Sequence, residues 1–178
     1  RPVIVAGSTW PSDHGVLIGL VNKLDIQLII APHEINIDEI TNFRKKVTKE
    51  SVLFSTAFSK SDVLIIDGIG LLSKVYQYAD IAYIGGGFGK GIHNTLEAAI
   101  WEIPVLFGPN YHKFAEAKGL ITQKAAFEIN DSTTLVARVQ SLIADETLRI
   151  NCGSFAGTYI KNQKGATEAI INFVLKSI

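Results

Sequence analysis

The densest chemistry in the sequence lies in one stretch, Gly85-Gly86-Gly87-Phe88-Gly89-Lys90-Gly91-Ile92-His93-Asn94, where five of the seven residues from Gly85 to Gly91 are glycine. Such a run lets the main chain take positive φ and lets a ligand approach the backbone closely. It follows an apolar run and precedes a helical pattern that begins near Asn94. Free N–H groups at a helix start, together with the helix dipole, favour a phosphate there by about 0.3–1 kcal/mol. The spacing fits neither the dinucleotide fingerprint G-x-G-x-x-G nor the Walker A pattern. Hydride transfer and ATP hydrolysis are therefore poorer readings than nucleotide-sugar binding. The plain alternative is a flexible structural loop.

His93-Asn94-Thr95-Leu96-Glu97 supports two readings. Asn94 and Glu97 have the spacing of an N-cap and its capping-box partner, which would only start a helix. Alternatively Glu97, one turn into the helix, offers its carboxylate to a ribose diol. Asp67-Gly68-Ile69-Gly70 closes an apolar run and opens a helical segment. Its glycines leave main-chain N–H and C=O groups free to face a base edge, or it is a tight turn with Asp67 as cap. Ser8 and Thr9 put hydroxyls after the first apolar run, where a phosphate or a sugar carboxylate would suit them. Trp10 is either a sugar-stacking ring or a core-edge aromatic. Pro32-His33 places a lone imidazole after the second run. No His/Cys/carboxylate cluster has metal-ligand spacing, and no Gly-x-Ser-x-Gly elbow is present.

The elements that must position these residues follow from periodicity. Short Val- and Ile-rich runs at Val3–Ala6, Gln27–Ala31, Val52–Phe54, Asp62–Ile66, Ile81–Ile84 and Pro104–Phe107 show no polar alternation, as expected of parallel strands covered on both faces. Helical patterns lie between and after them, at Asp13–Leu24, Ile37–Val47, Gly70–Tyr78, Asn94–Ile100, Phe114–Thr122, Thr133–Ala144, Glu146–Lys161 and Ala166–Lys176. This alternation predicts an α/β, Rossmann-like doubly wound parallel sheet, one domain over residues 1–178. In such sheets ligands bind beyond the carboxyl ends of the strands, where the loops just described fall.

Composition narrows the class. Of 178 residues, 47% are hydrophobic and 19% charged, enough apolar material for a core. Lys+Arg and Asp+Glu both number 17, so a zero balance argues against a nucleic-acid partner, which needs a basic excess. The lone Cys152 can make neither a disulfide framework nor a multi-cysteine metal site. No apolar stretch reaches the 18 residues of a membrane span. The chain runs from Arg1 straight into a strand pattern, and is read as a piece of a longer protein.

Together these segments resemble the Kdo (3-deoxy-D-manno-octulosonic acid) transferases. The resemblance is carried by Ala6-Gly7-Ser8-Thr9-Trp10, Leu28-Ile29-Ile30-Ala31-Pro32-His33, Gly70-Leu71-Leu72-Ser73-Lys74-Val75-Tyr76, Ala79-Asp80-Ile81-Ala82-Tyr83-Ile84-Gly85-Gly86-Gly87, Gly91-Ile92-His93-Asn94-Thr95-Leu96-Glu97-Ala98-Ala99 and Pro104-Val105-Leu106-Phe107-Gly108-Pro109, in that order and spacing. It runs from about Val3 to Ala117. It implies the C-terminal half of a GT-B glycosyltransferase. That half would hold CMP-Kdo, the donor, for inverting transfer of Kdo to a lipid A precursor in lipopolysaccharide synthesis, with no metal or other cofactor. The general base and the acceptor site would lie in a separate N-terminal domain, and the full-length enzyme at the cytoplasmic face of the inner membrane.

Carried over by motif, the Ser8–Thr9 loop and His33 would lie near the donor phosphate, and Pro32 and Gly87 would also contact the substrate. Gly68, Ile69 and Gly70 would meet the cytosine, Asn94 and Thr95 the phosphate, and Glu97 the ribose. The family usually has Arg-His where this chain has His33-Glu34, leaving Lys90 to supply the missing charge. It also often has paired acids where this chain has Asp13-His14, so no role is carried there. The competing readings are another GT-B enzyme, such as a UDP-sugar transferase or 2-epimerase, and a non-catalytic nucleotide-sugar-binding domain.

Overall fold

Seven strands, every one parallel to its neighbours, form a single sheet in this computed structural model, which describes residues 1–57, 60–163, 171 and 173–175. The strands are β1 (Val3–Thr9), β2 (Gln27–Pro32), β3 (Ser51–Leu53), β4 (Val63–Ile65), β5 (Ile81–Ile84), β6 (Val105–Phe107) and β7 (Ala126–Glu128). Their order across the sheet is β3-β4-β2-β1-β5-β6-β7. From β1 the chain steps to β2, runs on to the edge strand β3 and comes back to β4 between them, then crosses to the other side of β1 and continues through β5, β6 and β7. The strand order therefore reverses between β1 and β5, and the crevice at their carboxyl ends is the topological switch point.

The expected doubly wound sheet is observed. Two cores account for it. On one face Ile4, Ala6, Leu28, Ile30, Ile81 and Tyr83 pack with the buried side of α1 (Pro11–Lys23), α2 (Ile37–Lys46) and α6 (Ser132–Ala144). On the other, Val5, Ala82, Ile84, Val105 and Phe107 pack with Tyr76, Ala98, Ala99, Ala117 and Leu120. These last residues come from the segment of α3 (Leu72–Val75) and its following 3-10 turn, from α4 (Leu96–Ala99) and from α5 (Ala115–Thr122). Each fully buried Leu or Ile contributes about 1.5–3 kcal/mol of transfer free energy, which explains why β5 is apolar at every position rather than alternately. The helix α7 (Glu146–Asn162) sends Cys152 into the first core and Ala156 into the second.

Local chemistry sets the helix boundaries. Pro11 sits at the first turn of α1, where its missing N–H costs nothing. Asn36 caps α2 by accepting from the amides of Asp38 and Glu39 at 3.0 and 3.2 Å. Asp131 and Asp145 cap α6 and α7 through the amides of Thr134 and Leu148, at 2.7 and 2.8 Å. Such a cap is typically worth about 1 kcal/mol.

Three expectations differ from the structure, and a fourth is largely untested. β7 was not expected. The helix expected over Gly70–Tyr78 is only α3 followed by a 3-10 turn at Tyr76–Tyr78. The helix expected from Asn94 to Ile100 shrinks to the four residues of α4. The closing helix expected at Ala166–Lys176 falls largely outside the described residues.

Candidate functional site

Three loops meet beyond the carboxyl ends of β1, β2 and β5. The loop after β1 turns abruptly: Ser8 has φ +52, and the register of β1 against β2 shifts between Gly7 and Thr9. A non-glycine residue in this region is strained by about 1–2 kcal/mol. The shift swings Trp10 over the end of the sheet. Its indole Nε1–H donates to Nε2 of His93, in the loop after β5, at 2.8 Å. The two rings are nearly coplanar, 13° apart, with centroids separated by 6.2 Å. His33, after β2, lies across both, 4.7 Å from Trp10 and 4.2 Å from His93, tilted by 28° and 24°. Burial lowers the His93 pKa, and the neighbouring His33 adds to that, against opposing pulls from Asp13 and Glu97.

Beneath the rings lies Asp13, with no exposed surface. Its Oδ2 accepts from the Trp10 amide at 2.8 Å and from the Gly86 amide at 2.9 Å, and its Oδ1 accepts from the Tyr83 hydroxyl at 2.8 Å. One side chain thus ties the β1 loop, the end of β5 and the glycine loop together. Burial, then the Asp13 charge, pushes the Tyr83 hydroxyl well above the ordinary tyrosine range, so it is a permanent donor. No role was expected for Asp13. The available signal was its place three residues after Trp10, where an acid can accept from the N-cap amide.

The glycine loop owes part of its composition to packing. Gly86 has φ +91. A Cβ on Gly87 would stand 2.5 Å from the Gly108 amide nitrogen, so the loop after β5 lies directly on the loop after β6. Gly87, expected to face the ligand, is buried in that contact. The exposed part of the loop is Gly89-Lys90, anchored by the Asn110 side-chain amide, which donates to the Gly89 carbonyl at 2.7 Å.

Asn94 precedes α4 and accepts from the Leu96 amide at 3.0 Å. Its side-chain amide donates to Glu97 Oε1 at 3.2 Å. Glu97 is exposed and makes no capping-box contact to the backbone. A four-residue helix contributes little dipole, so any anion preference here comes from individual donors rather than from the helix. Thr95 and Thr9 are 0% and 3% exposed, and both hydroxyls have no hydrogen-bond partner among the described residues. Neither hydroxyl is therefore open to a ligand, whereas Ser8 is half-buried.

Two of the cavities beside the ring stack take in the expected residues. One, of about 490 Å³, is lined by Ser8, Pro32, His33, Gly68, Ile69 and Gly70 among others. These six residues, all expected at the site, come from three separate loops. Ile69 is 93% exposed and Gly70 has φ +83, so the turn after β4 presents backbone as well as side chain. Asp67 does not cap a helix. It accepts from the amide and hydroxyl of Ser55, pinning this turn to the segment after β3. The second cavity, of about 410 Å³, is lined by Trp10, Pro11, Lys90 and His93 with neighbouring small residues. Lys90 therefore lines a different cavity from the Gly68–Gly70 turn. Among the described residues no group of three or more His, Cys, Asp or Glu could hold a metal ion, and no helix is long and apolar enough to cross a membrane.

No protein-family model matches the chain. It is 32% identical to the 3-deoxy-D-manno-octulosonic acid transferase of Rickettsia typhi over 165 residues, covering 84% of this chain and 35% of that one. Against the enzyme of the same name from Aquifex aeolicus it is also 32% identical, over 79% of this chain and 42% of the relative. The chain thus spans between a third and a half of the length of these relatives. Among solved structures, the C-terminal CMP-Kdo binding domain of WaaA from Acinetobacter baumannii superposes with a TM-score of 0.82 at 22% identity, covering 90% of this chain and 89% of that one. The likeness to Kdo transferases is found, and the fold is that of the C-terminal domain of GT-B glycosyltransferases.

Proposed function

We propose that this chain is the donor-binding part of a Kdo transferase, holding CMP-Kdo while the sugar acid is transferred to a lipid A precursor. The observation that carries this reading is the convergence of Ser8, Pro32, His33, Gly68, Ile69 and Gly70 on one cavity at the switch point. The 32% identity to Kdo transferases supplies the chemistry of the ligand.

In this reading the cytosine lies against the turn at Gly68–Gly70, where main-chain groups read its polar edge. The phosphate lies over the ring stack, near Ser8, His33 and the Asn94 segment. Glu97 takes the ribose hydroxyls, its carboxylate exposed and held by Asn94. Lys90 and the second cavity face the sugar acid. Transfer breaks the bond between the anomeric carbon of Kdo and the phosphate oxygen as an acceptor hydroxyl attacks from the opposite side. The anomeric carbon then passes through an oxocarbenium-like state, as in glycoside chemistry, and its configuration inverts. Donors fixed before the reaction stabilise the departing CMP because they need no reorganisation as charge develops. The general base that deprotonates the acceptor belongs to an N-terminal domain, and the longer protein works at the cytoplasmic face of the inner membrane, where its lipid acceptor resides.

Calorimetric titration of the chain with CMP, UDP and CDP tests the reading. CMP is expected to bind at least about tenfold more tightly than UDP, a difference of about 1.4 kcal/mol. A preference for UDP would replace the Kdo assignment with a UDP-sugar transferase or epimerase.

A further inference from the structure

We propose that Trp10 is a positioning residue that holds His93 as its Nδ1–H tautomer, so that the imidazole presents one fixed, neutral donor to the anion bound at the switch point. The indole nitrogen only donates. A 2.8 Å contact from Trp10 Nε1 to His93 Nε2 therefore requires an unprotonated Nε2, and a neutral imidazole then carries its hydrogen on Nδ1. Protonating Nε2 would set two N–H groups face to face. It would also place charge on a ring whose partial burial already favours the neutral form.

The orientation of the ring follows from two further contacts. A Cβ built on Gly86 would lie 3.3 Å from His93 Cδ2, so the Cδ2–Nε2 edge faces the protein. The Nδ1 edge is on the opposite side and has no hydrogen-bond partner among the described residues. His33, stacked over both Trp10 and His93, keeps the pair from rotating out of plane. Asp13 fixes the other end of the lever, because it accepts from the Trp10 amide as well as from Gly86. The indole thus acts on the ligand only through His93. The inference depends on the nucleotide reading solely for the identity of the anion.

Two-bond proton–nitrogen correlations on the ¹⁵N-labelled chain at pH 7.5 test it, with CMP as the binding probe. In the wild type, His93 is expected to show a protonated Nδ1 and a bare Nε2. In Trp10→Phe, which keeps an aromatic ring but no N–H, an Nε2–H population is expected, and CMP affinity falls roughly three- to tenfold, the size of one lost hydrogen bond. His93→Gln can both accept from the indole and donate outward, and is expected to stay within about threefold of wild type, whereas His93→Leu loses at least as much as Trp10→Phe. An Nε2–H tautomer in the wild type, or His93→Leu binding CMP as tightly as wild type, overturns the proposal. An Nδ1–H wild type that ignores CMP upholds the tautomer lock and sinks the cytidine reading instead.

Discussion

The two banks of the switch-point crevice are built differently. On the β1–β5 side the loops are tied together: buried Asp13 holds three donors, Gly87 rests on Gly108, and Trp10 is joined to His93. On the β2–β4 side the loops stand open, with Ile69 93% exposed and Ile37 64% exposed. The first bank is preorganised, so it can meet charge without moving. The second leaves main-chain groups and apolar surface uncovered, which suits a flat base that brings its own surface to bury.

This contrast can be broken at its strongest point first. Asp13→Ala leaves the Trp10 and Gly86 amides and the Tyr83 hydroxyl without their shared acceptor. At about 1–3 kcal/mol for each buried donor left unpaired, urea unfolding is expected to show a loss of about 3–5 kcal/mol. A loss below about 1 kcal/mol would mean that water replaces the carboxylate and that the bank is not rigid. Gly87→Ala comes next. The added methyl meets backbone on Gly108 rather than a movable side chain, so a loss of about 1–3 kcal/mol is expected in the same measurement. Ile69→Ala sharpens the other side. Stability should change by less than about 0.5 kcal/mol, because so exposed a residue contributes little to the fold. CMP affinity should nevertheless fall about threefold if the base covers this side chain, as titration would show.

The sequence made most of the fold legible because its strands are strongly apolar and its caps conventional. β7 escaped because it is three residues long and ends in Glu128, and the turn before it uses Lys124 at φ +59 rather than a glycine. Asn94–Ile100 read as a full helix from its capping residues, yet Trp101 and Glu102 turn back toward Ala98 and Ala99 and end it after four residues. The candidate site was legible wherever the loop itself carries the chemistry, as at Ser8, His33 and Gly68–Gly70. It was not legible at Asp13, whose three partners lie up to 73 residues away, nor at Gly87, where a packing contact has the same composition as a ligand cradle.

The helix α7 bears on how the domain comes apart. By placing Cys152 on one side of the sheet and Ala156 on the other, α7 rivets the two layers at a common edge. Its Gly153 lies so close to the Glu102 carbonyl that no side chain fits between them, locking the rivet against the loop between α4 and β6. Loosening α7 would therefore uncover apolar side chains on both faces of the sheet at once.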